Sequence, residues 1–120
     1  MILVDTSAWI RHLRARDSRL VKLLTELRVV TCDVVVGDLA LGSGLPPEFR
    51  GLLAHLPKVA TPSSRDVLDF ITRHDKAFRT VGVGWADAQI LAAAANAGAL
   101  LYSHDSPQRT AWRRLGFRLV

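Results

Sequence analysis

A single cysteine, Cys32, excludes an intramolecular disulfide and makes the reducing cytoplasm the expected setting. No apolar run approaches the roughly 20 residues needed to span a bilayer, so no membrane role is expected. The apolar start is short, lacks a basic leader and carries Asp5, which argues against a signal peptide. His12, His55 and His74 show no ligand spacing with Cys32, which argues against a zinc site. Gly82-Val83-Gly84 lacks the third glycine of a dinucleotide-binding loop and follows a helical segment. There is no repeat, low-complexity tract or linker, so residues 1–120 read as one domain. Acids are scarce as well: 11 against 16 lysines and arginines, a formal net charge of +5. Such a balance suits a phosphate polyanion or an acidic protein partner. Hydrophobic residues make up 49% of the chain, enough for a packed core and too many for a disordered one.

What is present is a pattern of strands alternating with helices. Ile2–Val4 reads as a short buried strand, followed by a helix over Trp9, Ile10 and Leu13 with Ser7 as its cap. Arg14–Arg19 reads as a turn, and Leu20, Leu23, Leu24 and Leu27 recur at helical spacing. β-Propensity predicts a strand over Val29–Val36, then a helical turn stopped by Gly42 or Gly44. Pro46 and Pro47 introduce a helix over Glu48–His55, and Val59-Ala60 reads as a brief strand. A long helix is predicted from Ser63 or Ser64 to about Arg79, and Val81–Gly84 breaks it. Trp85–Asn96 is alanine-rich and helical, ending at Gly98. A strand at Ala99–Tyr102, a helix at Gln108–Leu115 and a strand at Phe117–Val120 complete the chain. The pattern predicts an α/β fold, a mainly parallel central sheet flanked by helices.

Four of the scarce acids stand in apolar company. Asp5 ends the first strand, and Asp105 follows the strand Ala99–Tyr102. Asp87 opens a helix that continues Ile90-Leu91-Ala92-Ala93, and Asp38 lies between Val34–Val36 and Leu39–Leu41. Asp17, Glu26, Asp66, Asp69 and Asp75 instead read as solvent-facing or helix-start residues. Taken singly, each of the four has a bland alternative: a helix cap for Asp5, a dipole partner for Asp87, an arginine partner for Asp38, a turn for Asp105. Taken together, they lie where open α/β sheets bind ligands. Converging carboxylates raise one another's pKa values unless a cation neutralises them. An all-oxygen set favours magnesium, with manganese able to substitute, over zinc. The matching chemistry is phosphodiester hydrolysis. His104 reads as an exposed turn residue rather than a general base. Trp9, Trp85 and Trp112 read as core or interface residues rather than stacking platforms.

Met1–Ile10, reading MILVDTSAWI, resembles the opening of a PIN-domain ribonuclease, in particular a VapC toxin of a VapBC toxin–antitoxin pair. Gly37-Asp38-Leu39-Ala40-Leu41-Gly42 resembles the second motif of that family, residues 84–94 the third, and Leu101–Asp105 the fourth. The resemblance runs along the whole chain in the family's order. It implies a PIN-like fold and a metal-dependent endoribonuclease acting on tRNA or rRNA, with Asp5, Asp38, Asp87 and Asp105 as the catalytic acids. It implies Asp5 and Asp87 as metal ligands, Asp38 and Asp105 as direct or water-mediated ones, and Thr6 and Ser7 as supporting hydroxyls. Arg11 and Arg14, just beyond the first motif, are expected to guide RNA. The resemblance further implies a homodimer, a VapB-like antitoxin partner in a hetero-oligomer, and contact with DNA only through that antitoxin. One departure stands out: the family usually has glutamate where this chain has Asp38. Losing a methylene withdraws the carboxylate by roughly 1.5 Å. That departure sustains an alternative, a catalytically weakened binding module acting through antitoxin binding and operon regulation. A related phosphatase or DNA nuclease is a third expectation.

Overall fold

A computed structural model describes residues 1–42 and 44–120. Strand β1 (Ile2–Val4) has no exposed surface, and that burial on both faces places it at the centre of the sheet. It pairs in parallel with β2 (Val29–Val30) on one side and β3 (Leu100–Tyr102) on the other, giving the order β2-β1-β3. Ile2 lies opposite both Val29 and Leu100, and Val4 opposite Tyr102. The carboxyl ends of β1 and β3 therefore open on the same edge.

Helices cover the sheet: α1 (Thr6–Arg14), α2 (Ser18–Thr25), α3 (Asp33–Leu41), α4 (Pro47–His55), α5 (Ser64–Arg73), α6 (Asp75–Phe78), α7 (Trp85–Ala97) and α8 (Ser106–Arg114). Helix α7 buries Ala88 and the run Ile90–Ala94, so its small side chains let it pass close to its neighbours. It ends at Gly98, whose φ of 66° is the left-handed conformation glycine adopts without a Cβ clash. Trp9 and Trp112 are fully buried in the core. Trp112 stacks on Phe117, and its Nε1–H donates to the Arg118 carbonyl at 2.6 Å, satisfying the one polar atom that its burial would otherwise strand. Among the described residues, no helix is long and apolar enough to cross a membrane.

Several predicted boundaries change. The strand expected over Val29–Val36 stops at Val30, and Asp33 opens α3 instead. Val59-Ala60 forms no strand of its own; the nearby contact is a single bridge between Thr31 and Lys58. The terminal strand over Phe117–Val120 reduces to a bridge between Leu101 and Leu119. The long helix predicted to Arg79 is interrupted at His74, where the backbone turns to φ −116° and ψ 32°. Leu27 lies beyond α2, 91% exposed and with φ 58°. The cap of α1 is Asp5 rather than Ser7, because Asp5 has the extended backbone that an N-cap needs.

Candidate functional site

Asp5 leaves β1 and turns directly into α1. Its Oδ1 accepts from the Ala8 N–H at 3.0 Å and from the Ser7 hydroxyl at 2.7 Å. Its Oδ2 is buried and has no hydrogen-bond partner. The residue is only 1% exposed; capping accounts for one oxygen, and the other makes no hydrogen bond of normal geometry, although the Ser103 hydroxyl lies near enough to the carboxyl to favour its charged form. Asp105 repeats this design just beyond β3: its Oδ2 accepts from the Gln108 N–H and caps α8, while its own N–H donates to Ser103 Oγ at 3.0 Å. The cap reading of Asp5 is therefore correct, the turn reading of Asp105 becomes a cap of α8, and neither role competes with a shared pocket. Asp38 comes from α3, where the Thr6 hydroxyl donates to its Oδ2 at 3.0 Å and ties α3 to the first residue of α1. Asp87 sits in the first turn of α7, and Gln108 Nε2 donates to its carbonyl at 3.4 Å, joining α7 to α8.

The electrostatics bring these four together. Burial, then the negative charges of Asp105, Asp5 and Asp38, push the Asp87 carboxyl up to about 6. Asp5 is also pushed up, chiefly by burial and further by Asp105. The hydroxyls of Ser103 and Ser7 and the Ala8 N–H oppose that rise. Carboxylates from β1, α3, α7 and the β3–α8 turn thus lie within one another's fields. An all-oxygen donor set, mutual repulsion and an orphaned Asp5 oxygen fit a hard divalent cation. Among the described residues, no three histidine, cysteine or acidic side chains form a ready-made ligand cage. Magnesium does not require one, since it keeps several waters and takes one or two direct carboxylates.

The rim differs from expectation. Asp17, read as a solvent-facing or helix-start residue, does start a helix, capping α2 through the Arg19 and Leu20 N–H groups, and it also accepts the Tyr102 hydroxyl at 2.5 Å. Burial alone would raise its pKa, but Tyr102, the two N–H groups and nearby His104 outweigh burial and lower it. Burial and the Asp17 carboxylate push Tyr102 up to about 12, which keeps it a hydroxyl donor. The His104 ring faces Arg11 through Nδ1 at 3.2 Å and Asp17 through Nε2 at 3.8 Å, in keeping with a turn residue. Arg14 lines a cavity of about 380 Å³ with Ile10, Leu13, Asp38 and Leu45, on the Asp38 side of the acids. Trp85, expected in the core or an interface, is 45% exposed at the start of α7 and so is not a core residue. Asp17, Tyr102 and Gln108 are the site residues that sequence reasoning missed. The Asp17-Ser18 pair ahead of the Leu20, Leu23 spacing is a cap signal that could have found the first of them.

The profile of the PIN domain family matches residues 2–111. Ribonuclease VapC32 of Mycobacterium tuberculosis is 38% identical over 122 residues, spanning 100% of this chain and 97% of that protein. Among solved structures, FitAcB from Neisseria gonorrhoeae superposes with a TM-score of 0.63 at 21% identity, covering 92% of this chain and 93% of that one. FitAB bound to an IR36 DNA fragment gives 0.65 at 18% identity, covering 100% and 94%. These structures share the helix-flanked fold described above.

Proposed function

The chain belongs to the PIN-domain family, with a VapC ribonuclease as a full-length relative, and on that premise we propose that its four acids form the catalytic pocket of a toxin endoribonuclease. The observation that supports this most is the convergence of Asp5, Asp38, Asp87 and Asp105, with Asp5 Oδ2 buried and unpartnered. In this reading Asp5 and Asp87 hold magnesium directly, manganese substitutes, and Asp38 and Asp105 contribute directly or through water. A cation held there supplies charge neutralisation at the phosphoryl oxygens and a water of lowered pKa. Ser7 fixes the rotamer of Asp5 by occupying Oδ1, which leaves Oδ2 free for a cation in this reading. Thr6 does the same for Asp38. The substrate is RNA, tRNA or rRNA, in the cytoplasm. The partners are a second copy of the chain and a VapB-like antitoxin, through which alone DNA is reached.

Asp38 in place of the family's glutamate favours a second reading, a weakened nuclease that acts mainly by binding its antitoxin. Incubation of purified protein with tRNA and rRNA separates the two. In magnesium the protein should yield discrete fragments, and EDTA should stop the reaction. Asp38→Glu should speed cleavage about tenfold, the equivalent of one recovered polar contact. Strong cleavage that Asp38→Glu leaves unchanged removes the binding-module reading, whereas no cleavage by either protein favours it.

A further inference from the structure

Four carboxylates repel the polyanion they are proposed to cut. Even with cations bound, the pocket is close to neutral, so affinity for RNA must come from positive groups beside it. Arg11 and Arg19 occupy that position. Arg11 lies one helical turn beyond Ser7 on α1, so the two share a face of the helix. His104 links them. Its backbone N–H donates to Ser7 Oγ at 3.0 Å, and Ser7 in turn donates to Asp5, while its ring meets the Arg11 guanidinium. Arg19 stands over the Tyr102 ring, 5.6 Å from its centroid. Tyr102 packs edge-on against His104 and is anchored by its hydroxyl to Asp17.

Both arginines are exposed, and among the described residues neither has a carboxylate within ion-pair distance. Lys22, Arg28, Lys58 and Arg79, by contrast, each lie against an acid. Asp17 is the acid of this cluster, and its oxygens are already engaged by Tyr102 and by two backbone N–H groups of α2. Its role is to hold the platform rather than to neutralise the guanidinium groups.

We propose that Arg11 and Arg19, positioned by His104 and the Tyr102–Asp17 pair, form a subsite for an RNA phosphate next to the one held at the acid pocket. The subsite rests on the ribonuclease reading for the choice of RNA as its ligand. It pairs Arg11 with Arg19 in guiding RNA, whereas Arg14 lines the cavity that includes Asp38. His104 is a positioning residue: it accepts from Arg11 and does not itself touch the phosphate.

Binding of a short fluorescein-labelled single-stranded RNA of mixed sequence, followed by anisotropy in Asp5→Asn protein across a salt series, tests this without cleavage. Arg11→Gln and Arg19→Gln should each weaken binding about fivefold and reduce the logarithmic salt slope by about 0.7. Arg113→Gln, which removes the same charge from the far end of α8, should change binding less than about twofold. His104→Ala should cost about threefold, and His104→Asn, which keeps an acceptor for Arg11, should recover it. In the cleaving protein, Arg11→Gln should raise KM with little change in kcat. Equal affinities and salt slopes for Arg11→Gln, Arg19→Gln and Arg113→Gln would overturn the subsite, even if Asp5→Asn abolishes cleavage and so upholds the nuclease. Arginine-dependent RNA binding by a protein that cuts no RNA would uphold the subsite and remove the nuclease reading instead.

Discussion

Asp5→Asn should lower the RNA cleavage rate about a thousandfold, a loss of roughly 4 kcal/mol of transition-state stabilisation, while leaving the fold intact. The two halves of that expectation come from the two oxygens of one side chain. Oδ1 caps α1 by accepting from Ala8, and asparagine caps helices about as well as aspartate does. Oδ2 is buried without a partner, and its charge is what a cation would recognise. Asparagine therefore keeps the structural role and removes the chemical one. Because the charged carboxylate is penalised by burial, the variant should also melt no lower than the parent in the absence of metal. Asp5→Ala would confuse the two roles, since losing the cap alone costs about 1 kcal/mol. Initial-rate cleavage of RNA alongside a thermal melt checks both expectations. Full activity in Asp5→Asn would remove Asp5 from the catalytic centre, and a collapsed melt would show that Oδ2 is structural after all.

The sequence announced the site more clearly than the sheet that carries it. Asp5 and Asp105 each end an apolar run, and parallel pairing of β1 with β3 brings both to one edge. Asp87 was legible as an acid opening an otherwise apolar helix, the conflict between local pattern and charge that marks functional positions. The reading of β2 failed further on. Val34, Val35 and Val36 suggested that the strand begun at Val29 would persist, yet only Val29 and Val30 have partners in β1. β-Propensity reflects fit to a pleated, half-buried surface, and where that surface ends the same valines pack in α3. That shift is what turns Asp38 toward Thr6. Asp17 was legible as a helix cap but not as part of the site. Its partner Tyr102 is 85 residues away, and no local spacing reports such a contact.

Asp87 carries the second large effect. In metal-free protein its carboxyl is pushed up to about 6 from an ordinary 3.8, so the folded state binds this proton more tightly than the unfolded chain does. The stability it contributes is fully present below pH 3.8 and is lost as pH rises through 6. Asp5 is shifted in the same direction. Asp17 is shifted in the opposite one, so its contribution is present above pH 3.8 and is lost as pH falls through its lowered value. The two windows are separate, and melts between about pH 4 and 7 report the pocket. Asp87 is partly exposed, and screening reduces its share to about 1–2 kcal/mol, or a Tm about 5 °C lower at pH 7 than at pH 4.5 relative to Asp87→Asn. Saturating magnesium at pH 7 should recover that loss, because a ligand bound only by the folded state stabilises it by mass action. The recovery should shrink at about pH 5, where the proton competes for Asp87, and should be small at either pH in Asp87→Asn. Parallel Tm curves for the two proteins across that pH range, with equal responses to magnesium, would place Asp87 outside the cation site.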